Sequence, residues 1–559
     1  MPLSRFTLRS RFSGPTPRKE QAFETTCGTE RIDACRRLSC LYGSVENQPH
    51  IRSLKSFSQI LVISEVFQGR TQDAQAVVPN LLLLSAAMTP EEFRKHGYAM
   101  IDWIADYVDD AGSRRVSPDV RPGDIRRQLA EHPPSAPQPF ADVITDLEKV
   151  IVPGLTQWQH PDFFAWFPSN ITYPSILGEL MSAGLGINAM AWMTSPAATE
   201  LETLMLDWMH ELLGLPDHFR STSDTGGGVI QGTASESTLT AMLAARWRAT
   251  GGNINASGDT TKLVGYTTSQ SHSSIEKGFR IAGIGTDNMR IVPHDEHFAM
   301  RPDAFADLVT ADIAAGLTPF FVVTSHGTTS SLAFDPTPAI ATVARDHDIW
   351  VHVDAAMSGT AALAPEYRWV NDGLGQADSY TTNPHKWMGI NFDCNLFWVA
   401  DRSALIGALS VLPPYLASEA AKSGAAFDYR DWGIPLGRRF RALKLWFSLR
   451  TDGVIPVQAM IREHVRLTHQ LAERVAADHR FDIVAPHPLN LLCIARRAES
   501  VDQANTMTDA LIEASNAAGI GLFSRTVLDG RSVMRISIGA RATKAEHVTA
   551  MWDRVIEIV

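Results

Sequence analysis

Ile349-Trp350-Val351-His352-Val353-Asp354-Ala355-Ala356 is the stretch on which the fold is read. Residues 349–353 are a short run of β-branched and aromatic side chains, the composition of a strand. A carboxylate follows at once in Asp354, and then two small residues. In open α/β sheets ligands bind beyond the carboxyl ends of the strands. Asp354 is therefore placed where it can hold a positively charged ring nitrogen. Taken alone, an aspartate at this point reads more readily as the cap of a following helix. A metal reading of His352 with Asp354 lacks a third ligand at helical spacing.

Two runs of the same character lie upstream, at 263–267 and 320–324. From Leu147 onward helical and strand patterns alternate, which argues an α/β fold. Near Thr451 the alternation loosens. A long amphipathic helix over 454–476, strands around 481–494 and 533–538, and a last helix from Lys544 predict a smaller C-terminal domain. At the other end, order begins at Met88. Thr89 can cap a helix, Pro90 suits its first turn, and Glu91 and Glu92 favour its positive end. Phe93, Met100, Ile101, Ile104 and Val108 continue at helical spacing. The Pro-rich segment 121–139 reads as a linker. There is no internal repeat.

The chain has 559 residues and 61.3 kDa, enough for three or four domains and a large core. Its 45% hydrophobic and 20% charged residues are ordinary globular usage and exclude wholesale disorder, collagen and coiled coil. Fifty Lys+Arg against 61 Asp+Glu leave a net charge of −11, which speaks against a general nucleic-acid footprint. No apolar run reaches the roughly 18 residues of a membrane span. The longest candidate, 74–88, is interrupted by Pro79 and Asn80. Five cysteines without a CxxC pair form neither a disulfide framework nor a zinc site of that type, and a reducing cytoplasm is the expected compartment. Three of them, Cys27, Cys35 and Cys40, fall in the first 40 residues. Residues 1–19 carry four Arg, one Lys and no acid, a composition shared with transit peptides. Residues 1–87 as a whole are expected to be a disordered extension or to precede the true start.

Four clusters can carry chemistry. In Asn383-Pro384-His385-Lys386-Trp387 the lysine sits among bulky neighbours. Desolvation favours the neutral amine that a Schiff-base nucleophile requires, although such a lysine can also pack its stem on Trp387 at a surface. Gly226, Gly227 and Gly228 precede Gly232-Thr233-Ala234-Ser235-Glu236, where Thr233 and Glu236 have capping-box spacing. A glycine-rich approach to a helix N-terminus is a ready phosphate site, or simply a tight turn. No Gly-Lys-Ser/Thr follows, so it is not a Walker loop. His272-Ser273-Ser274 follows the strand at 263–267, where an imidazole can lie flat on an aromatic ring. Thr328 and Thr329 follow the strand at 320–324. A Schiff-base lysine, an acid for a ring nitrogen, a phosphate cradle and a stacking imidazole together match one cofactor, pyridoxal 5′-phosphate.

With these motifs in order, the chain resembles the pyridoxal-phosphate-dependent group II decarboxylases, specifically the aromatic L-amino-acid decarboxylase family. The resemblance runs from about Met88 to the C-terminus. It is carried by His160-Pro161 with 163–169, 195–202, 234–236, 272–274, 327–329, 352–356, 383–387, 428–432 and 434–441. It implies the fold of type I pyridoxal-phosphate enzymes, like aspartate aminotransferase. That fold is a large α/β domain with a mixed, mostly parallel sheet plus a smaller α/β C-terminal domain. The expected divisions are an N-terminal helical arm over 88–165, the large cofactor-binding domain over 166–452 and the small domain over 453–559. It implies that Lys386 binds the cofactor covalently and that Asp354 pairs with the pyridine nitrogen. His272 stacks on one face of the ring and Ala356 on the other. Ala234, Ser235, Asn383 and His385 hold the phosphate, and Thr329 supports the site beside Asp354. Tyr415 falls at the position of the family's loop tyrosine, the general acid that protonates Cα directly or through His272. The loop continues through Lys422, Ser423 and Gly424 and covers the neighbouring subunit's site in a homodimer. Trp166, Phe167, Met190 and Gly437 fall on substrate-pocket positions.

The implied reaction is decarboxylation of an aromatic L-amino acid, namely tryptophan, phenylalanine, tyrosine or dihydroxyphenylalanine, to the arylalkylamine and carbon dioxide. The alternatives are an aromatic acetaldehyde synthase or a decarboxylase of another L-amino acid. Aldehyde-forming relatives carry Phe at the Tyr415 position, and histidine decarboxylases tend to carry Ser at the Gly437 position. Tyr415 and Gly437 thus favour the amine and an aromatic substrate. The chain departs from the common pattern at Met357, where many relatives have Tyr, and at Trp166 and Met190. No metal and no nucleic acid or membrane partner is expected. No Gly-x-Ser-x-Gly elbow is present, which disfavours serine-hydrolase chemistry.

Overall fold

The computed structural model describes residues 88–411 and 426–559. The expectations for residues 1–87, and those for Tyr415, Lys422, Ser423 and Gly424, lie outside the described residues.

Seven strands form the main sheet: β1 (Gly227–Gln231), β2 (Leu263–Thr268), β3 (Met289–Val292), β4 (Thr318–Ser325), β5 (Trp350–Asp354), β6 (Ser379–Thr382) and β7 (Asn395–Val399). Their order is β1-β7-β6-β5-β4-β2-β3. The run from β6 to β3 is parallel, and β7 is antiparallel to both β6 and β1. The central strands are continuous apolar runs because both faces are covered. Val322, Val323, Val351, Val353 and Trp350 are all buried. Parallel pairing brings the carboxyl ends of β2, β4, β5 and β6 to one edge. Ser325 of β4 lies in register with Asp354 of β5, and Asp354 with Thr381 of β6.

The three strands expected from the sequence are present with bounds shifted by at most two residues. The glycine run differs. Gly227 and Gly228 belong to β1 rather than to a turn. β1 runs against Trp398 of β7, whose ring would lie 2.6 Å from a Cβ at Gly228, so only glycine admits this pairing. The helix Ala234–Ala249 then starts on Thr233, whose side chain accepts from the Glu236 N–H.

A second sheet, with order β10-β11-β9-β8, is wholly antiparallel. Its strands are β8 (Phe481–Ile483), β9 (Leu491–Arg496), β10 (Ser524–Leu528) and β11 (Arg531–Ser537). Helices Ile455–Ala476, Val501–Ala517 and Ala545–Glu557 cover it, and Leu467, Leu471, Ile494, Ile512, Ile536 and Trp552 share one buried cluster. The long helix and the last helix were expected within one residue of these bounds.

At the described N-terminus the helix Pro90–Asp109 starts with a reciprocal cap. The Glu92 N–H donates to Thr89 Oγ1 (3.2 Å) and the Thr89 N–H to Glu92 Oε2 (2.9 Å). Further along this helix Tyr98, Met100 and Ile101 are exposed. The segment expected as a linker contains a short helix, Asp124–Gln128. No helix among the described residues is long and apolar enough to cross a membrane.

Candidate active site

A cavity of ≈ 220 Å³ opens at the carboxyl edge of the main sheet. The loops after β1, β2, β4, β5 and β6 each send residues to its wall: Thr233, Ala234 and Ser235; His272 and Ser274; Gly327, Thr328 and Thr329; Ala356 and Met357; and Asn383, His385 and Lys386. Asp354, the last residue of β5, joins them. Residues as far apart in the chain as Thr233 and Lys386 thus meet because the sheet is parallel there.

Lys386 lies in a short helical turn, Pro384–Met388, directly after β6. Burial holds its amine below the ordinary lysine range. Asp354 opposes that shift and the like charge of Arg535 adds to it. No ion pair to Lys386 is present among the described residues. Its Nζ stands 5.6 Å from the centre of the Phe167 ring. The turn itself is locked. The Trp387 indole N–H donates to His464 Nδ1 (2.9 Å) inside the core. Asn170, fully buried, donates through Nδ2 to the carbonyls of Lys386 (3.0 Å) and Gly539 (2.8 Å). Its Oδ1 accepts from the Arg541 N–H (2.8 Å). One amide therefore ties the backbone of the lysine to the end of the second sheet.

The Asp354 carboxylate accepts from the Ala356 N–H (3.0 Å), which aims it along the strand into the cavity. His385 is buried, and enclosure pushes its imidazole down to about 3. Its Nδ1 accepts from the Cys394 N–H (3.0 Å), so the neutral ring carries its proton on Nε2. The Asn383 Oδ1 accepts from Asn395 Nδ2 (2.7 Å), which leaves the Asn383 amide as a donor. Together with the unpaired N–H groups at the start of helix Ala234–Ala249, these donors make a cradle for a phosphate. His272 is also held neutral, chiefly by burial. The residues present thus match pyridoxal phosphate group by group: donors for the phosphate, an amine for the aldehyde, and a carboxylate for the ring nitrogen.

Of the expected substrate-pocket residues, only Phe167 lines this cavity. Trp166 is 50% exposed, with φ +43°, and stacks on Trp158. Met190 and Gly437 lie together elsewhere. The Asn188 amide reaches Met190 Sδ (3.7 Å) and its Oδ1 accepts from the N–H of Arg438, next to Gly437. These three positions do not reach the cavity within one chain. Part of the motif 195–202 is architectural. Glu202, buried, takes a bidentate ion pair from Arg438 (2.6 and 3.1 Å) and accepts from the Ile230 N–H of β1.

One wall residue, Phe392, and one buried cation near the site, Arg535, were not anticipated. Phe392 is 61% exposed at the cavity and meets the His385 ring edge-on at 4.7 Å. Arg535 of β11 is 3% exposed and does not line the cavity, but its guanidinium carbon stands 5.2 Å from the centroid of the Phe167 ring that does. Its Nη1 donates to Ser524 Oγ (2.8 Å), but Nε and Nη2 have no partner. A buried guanidinium without a carboxylate is costly, and such a cost marks a site for an anion. Nothing in the alternating pattern of β11 distinguishes it from a structural arginine. Among the described residues, no group of three or more metal-ligating side chains converges.

Residues 122–496 match the family described as the pyridoxal-dependent decarboxylase conserved domain. The chain is 42% identical to tyrosine decarboxylase 2 of Narcissus pseudonarcissus over 471 residues, 83% of this chain and 93% of that protein. It is 42% identical to phenylacetaldehyde synthase of Arabidopsis thaliana over 477 residues, 84% of this chain and 96% of that protein. Among solved structures, Oryza sativa TDC with PLP and tryptamine superimposes with a TM-score of 0.82 at 36% identity, covering 84% of this chain and 98% of that one. With the lysine, the acid and the phosphate cradle already converging on one cavity, these similarities place the chain in the pyridoxal-phosphate-dependent group II decarboxylases, in the aromatic L-amino-acid decarboxylase family.

Proposed function

We propose that this protein decarboxylates an aromatic L-amino acid, tryptophan, phenylalanine, tyrosine or dihydroxyphenylalanine, to the arylalkylamine and carbon dioxide. The observation that carries the reading is Lys386. It is an amine held toward its neutral form by burial, without an ion pair among the described residues, in a cavity it shares with Asp354. Bound there, pyridoxal 5′-phosphate supplies the electron sink for the bond to the departing carboxylate. Lys386 offers the amine that takes the cofactor's aldehyde. Asp354 keeps the ring nitrogen protonated, because a carboxylate beside it favours the charged form. His272 and Ala356 bracket the ring. Ala234, Ser235, Asn383 and His385 hold the phosphate, and Thr329 braces the side of Asp354.

Phe167 and Phe392 give the substrate's ring an apolar wall. Arg535 supplies the charge that draws the substrate carboxylate in and orients it across that wall. Tyr415 is the proposed acid that returns a proton to Cα, directly or through His272, and its identity favours the amine over an aldehyde. The protein is proposed to act as a cytoplasmic homodimer with the active site at the interface. Leu177, Leu180, Met181 and Leu185 stand exposed on the helix Tyr173–Leu185, and Ile434 and Leu436 beside Gly437. A second copy covering these side chains would bring Met190 and Gly437 to its neighbour's site.

The test is a product assay over a panel of aromatic amino acids. The expected result is amine and carbon dioxide in equal amounts, from a yellow protein bleached by borohydride. Ammonia with peroxide would identify an aldehyde synthase, and a keto acid an aminotransferase.

A further inference from the structure

His272 lines the cavity, and one neighbour fixes how its ring is held. Its Nδ1 lies 3.2 Å from the backbone nitrogen of Ser274 and 2.8 Å from Ser274 Oγ. A backbone N–H only donates, so Nδ1 is an acceptor and bears no proton. The Ser274 hydroxyl at the same nitrogen must then donate as well. Ser274 is the first residue of the helix Ser274–Ile281, whose N-cap residue Ser273 makes no side-chain cap. The imidazole takes that place and satisfies one of the N–H groups that a helix start leaves unpaired. The positive end of the helix also disfavours a charge on the ring. Of the charged groups facing it, Asp354 favours the imidazolium and Lys386 opposes it, and burial outweighs both in favour of the neutral ring.

We propose that Ser274 is a positioning residue for the decarboxylation. Its two donors to Nδ1 lock His272 in the Nε2–H tautomer, so that the ring facing the cofactor offers one donor and can pass a proton only through Nε2. Ser274 is 8% exposed and lines the cavity, but it needs no contact with the cofactor to act this way. Its effect is on the ring. A histidine free to carry its proton on Nδ1 would turn a lone pair toward the site, where it could accept a proton and not supply one. The inference rests on the proposed reaction for its consequence, while the tautomer itself is independent of the substrate.

The measurement is ¹⁵N NMR of the histidine side chains in the cofactor-loaded enzyme, with His272 assigned by its disappearance in His272→Gln. The wild type is expected to show a single Nε2–H form for His272. In Ser274→Ala the hydroxyl donor is lost. The Ser274 backbone N–H still donates, so the Nε2–H form should stay the major one, but the Nδ1 signal should move part of the way toward the average of the two tautomers, the midpoint of His272 protonation should rise by about one pH unit, and kcat should fall up to about tenfold with little change in KM. Ser274→Thr keeps the hydroxyl and should restore all three. An Nδ1–H or mixed form in the wild type overturns the proposal without any variant. So does a Ser274→Ala enzyme whose tautomer and midpoint match the wild type. Should the tautomer be as stated but no amine form from any aromatic amino acid, the proposed reaction fails and the assignment of Ser274 to the ring stands.

Discussion

Lys386 in the cavity and Arg535 near it are both buried cations against the Phe167 ring, and they differ in what the surroundings ask of them. Enclosure lowers both from their ordinary range, but a lysine can discharge and an arginine cannot. Lys386→Ala is therefore expected to remove covalent capture of the cofactor. Borohydride would then fix no label, and kcat should fall by about 10³-fold or more. Arg535→Met removes a charge but keeps the bulk against Phe167. It should raise KM for the amino acid about tenfold or more, as expected for the loss of one buried charge-assisted contact, while the absorption of the bound cofactor persists. Equal KM values in the two proteins would mean that the guanidinium does not meet the substrate. At this scale the sequence was informative wherever a side chain follows a strand end. His272, Asn383, His385 and Lys386 do, Asp354 ends its own strand, and all line the cavity. Arg535 and Phe392 carry no such mark, because their roles come from what the fold stacks against them. Trp166, Met190 and Gly437 sit outside the cavity, and the proposed second copy is what would bring such positions to a site.

Between residue and fold, the elements hold the site by a few specific joints. Thr233 caps the helix proposed to cradle the phosphate. Thr233→Ala should cost that helix about 1 kcal/mol, and loosened N–H groups should weaken cofactor binding severalfold in a fluorescence titration. The amide of Asn170 joins the turn of Lys386 to Gly539 and Arg541. Asn170→Ala strands two carbonyls and an N–H in a buried place. It is expected to destabilise the protein by about 2–4 kcal/mol and to release cofactor at lower urea than unfolds the wild type; simultaneous loss of cofactor and structure would show no special link to the lysine. The parallel strands were legible as apolar runs bounded by turns, since burial on both faces writes itself into composition. β1 and β7 were not. β1 opens with glycines, which score against any strand, and only their neighbours in the fold explain them: the Trp432 ring beside Gly227 and the Trp398 ring beside Gly228. Gly228→Ala, placing a Cβ 2.6 Å from that ring, should destabilise by about 1–3 kcal/mol.

Over the whole molecule, the way this chain buries histidine predicts its response to acid. Enclosure pushes His326, His352 and His464 down to about 4 and His385 to about 3. An unfolded histidine titrates near 6.5. Between about pH 6.5 and 4 the unfolded chain therefore takes up protons that the native state refuses, and stability falls as the pH drops through that window. Asp335 acts in the other direction. Its burial raises it to about 6, so below that pH the native state keeps a proton that the unfolded chain lacks until the ordinary carboxylate range is reached. That offsets roughly one histidine, so these five groups together take up about three protons on unfolding and contribute a slope on the order of 4 kcal/mol per pH unit near pH 5. Against a total of about 5–15 kcal/mol for a folded domain, such a slope should bring the urea midpoint sharply down between pH 6.5 and 5. A midpoint unchanged over that range would contradict the neutral state of these four rings. His385 separates the loaded protein from the empty one, because it faces the cradle. A phosphate dianion beside it favours the imidazolium, so the cofactor should return one of the refused protons. The loaded enzyme is then expected to lose stability less steeply than the apoenzyme, by up to about one proton or 1.4 kcal/mol per pH unit. Paired urea titrations with and without cofactor would show parallel slopes if His385 does not face the phosphate.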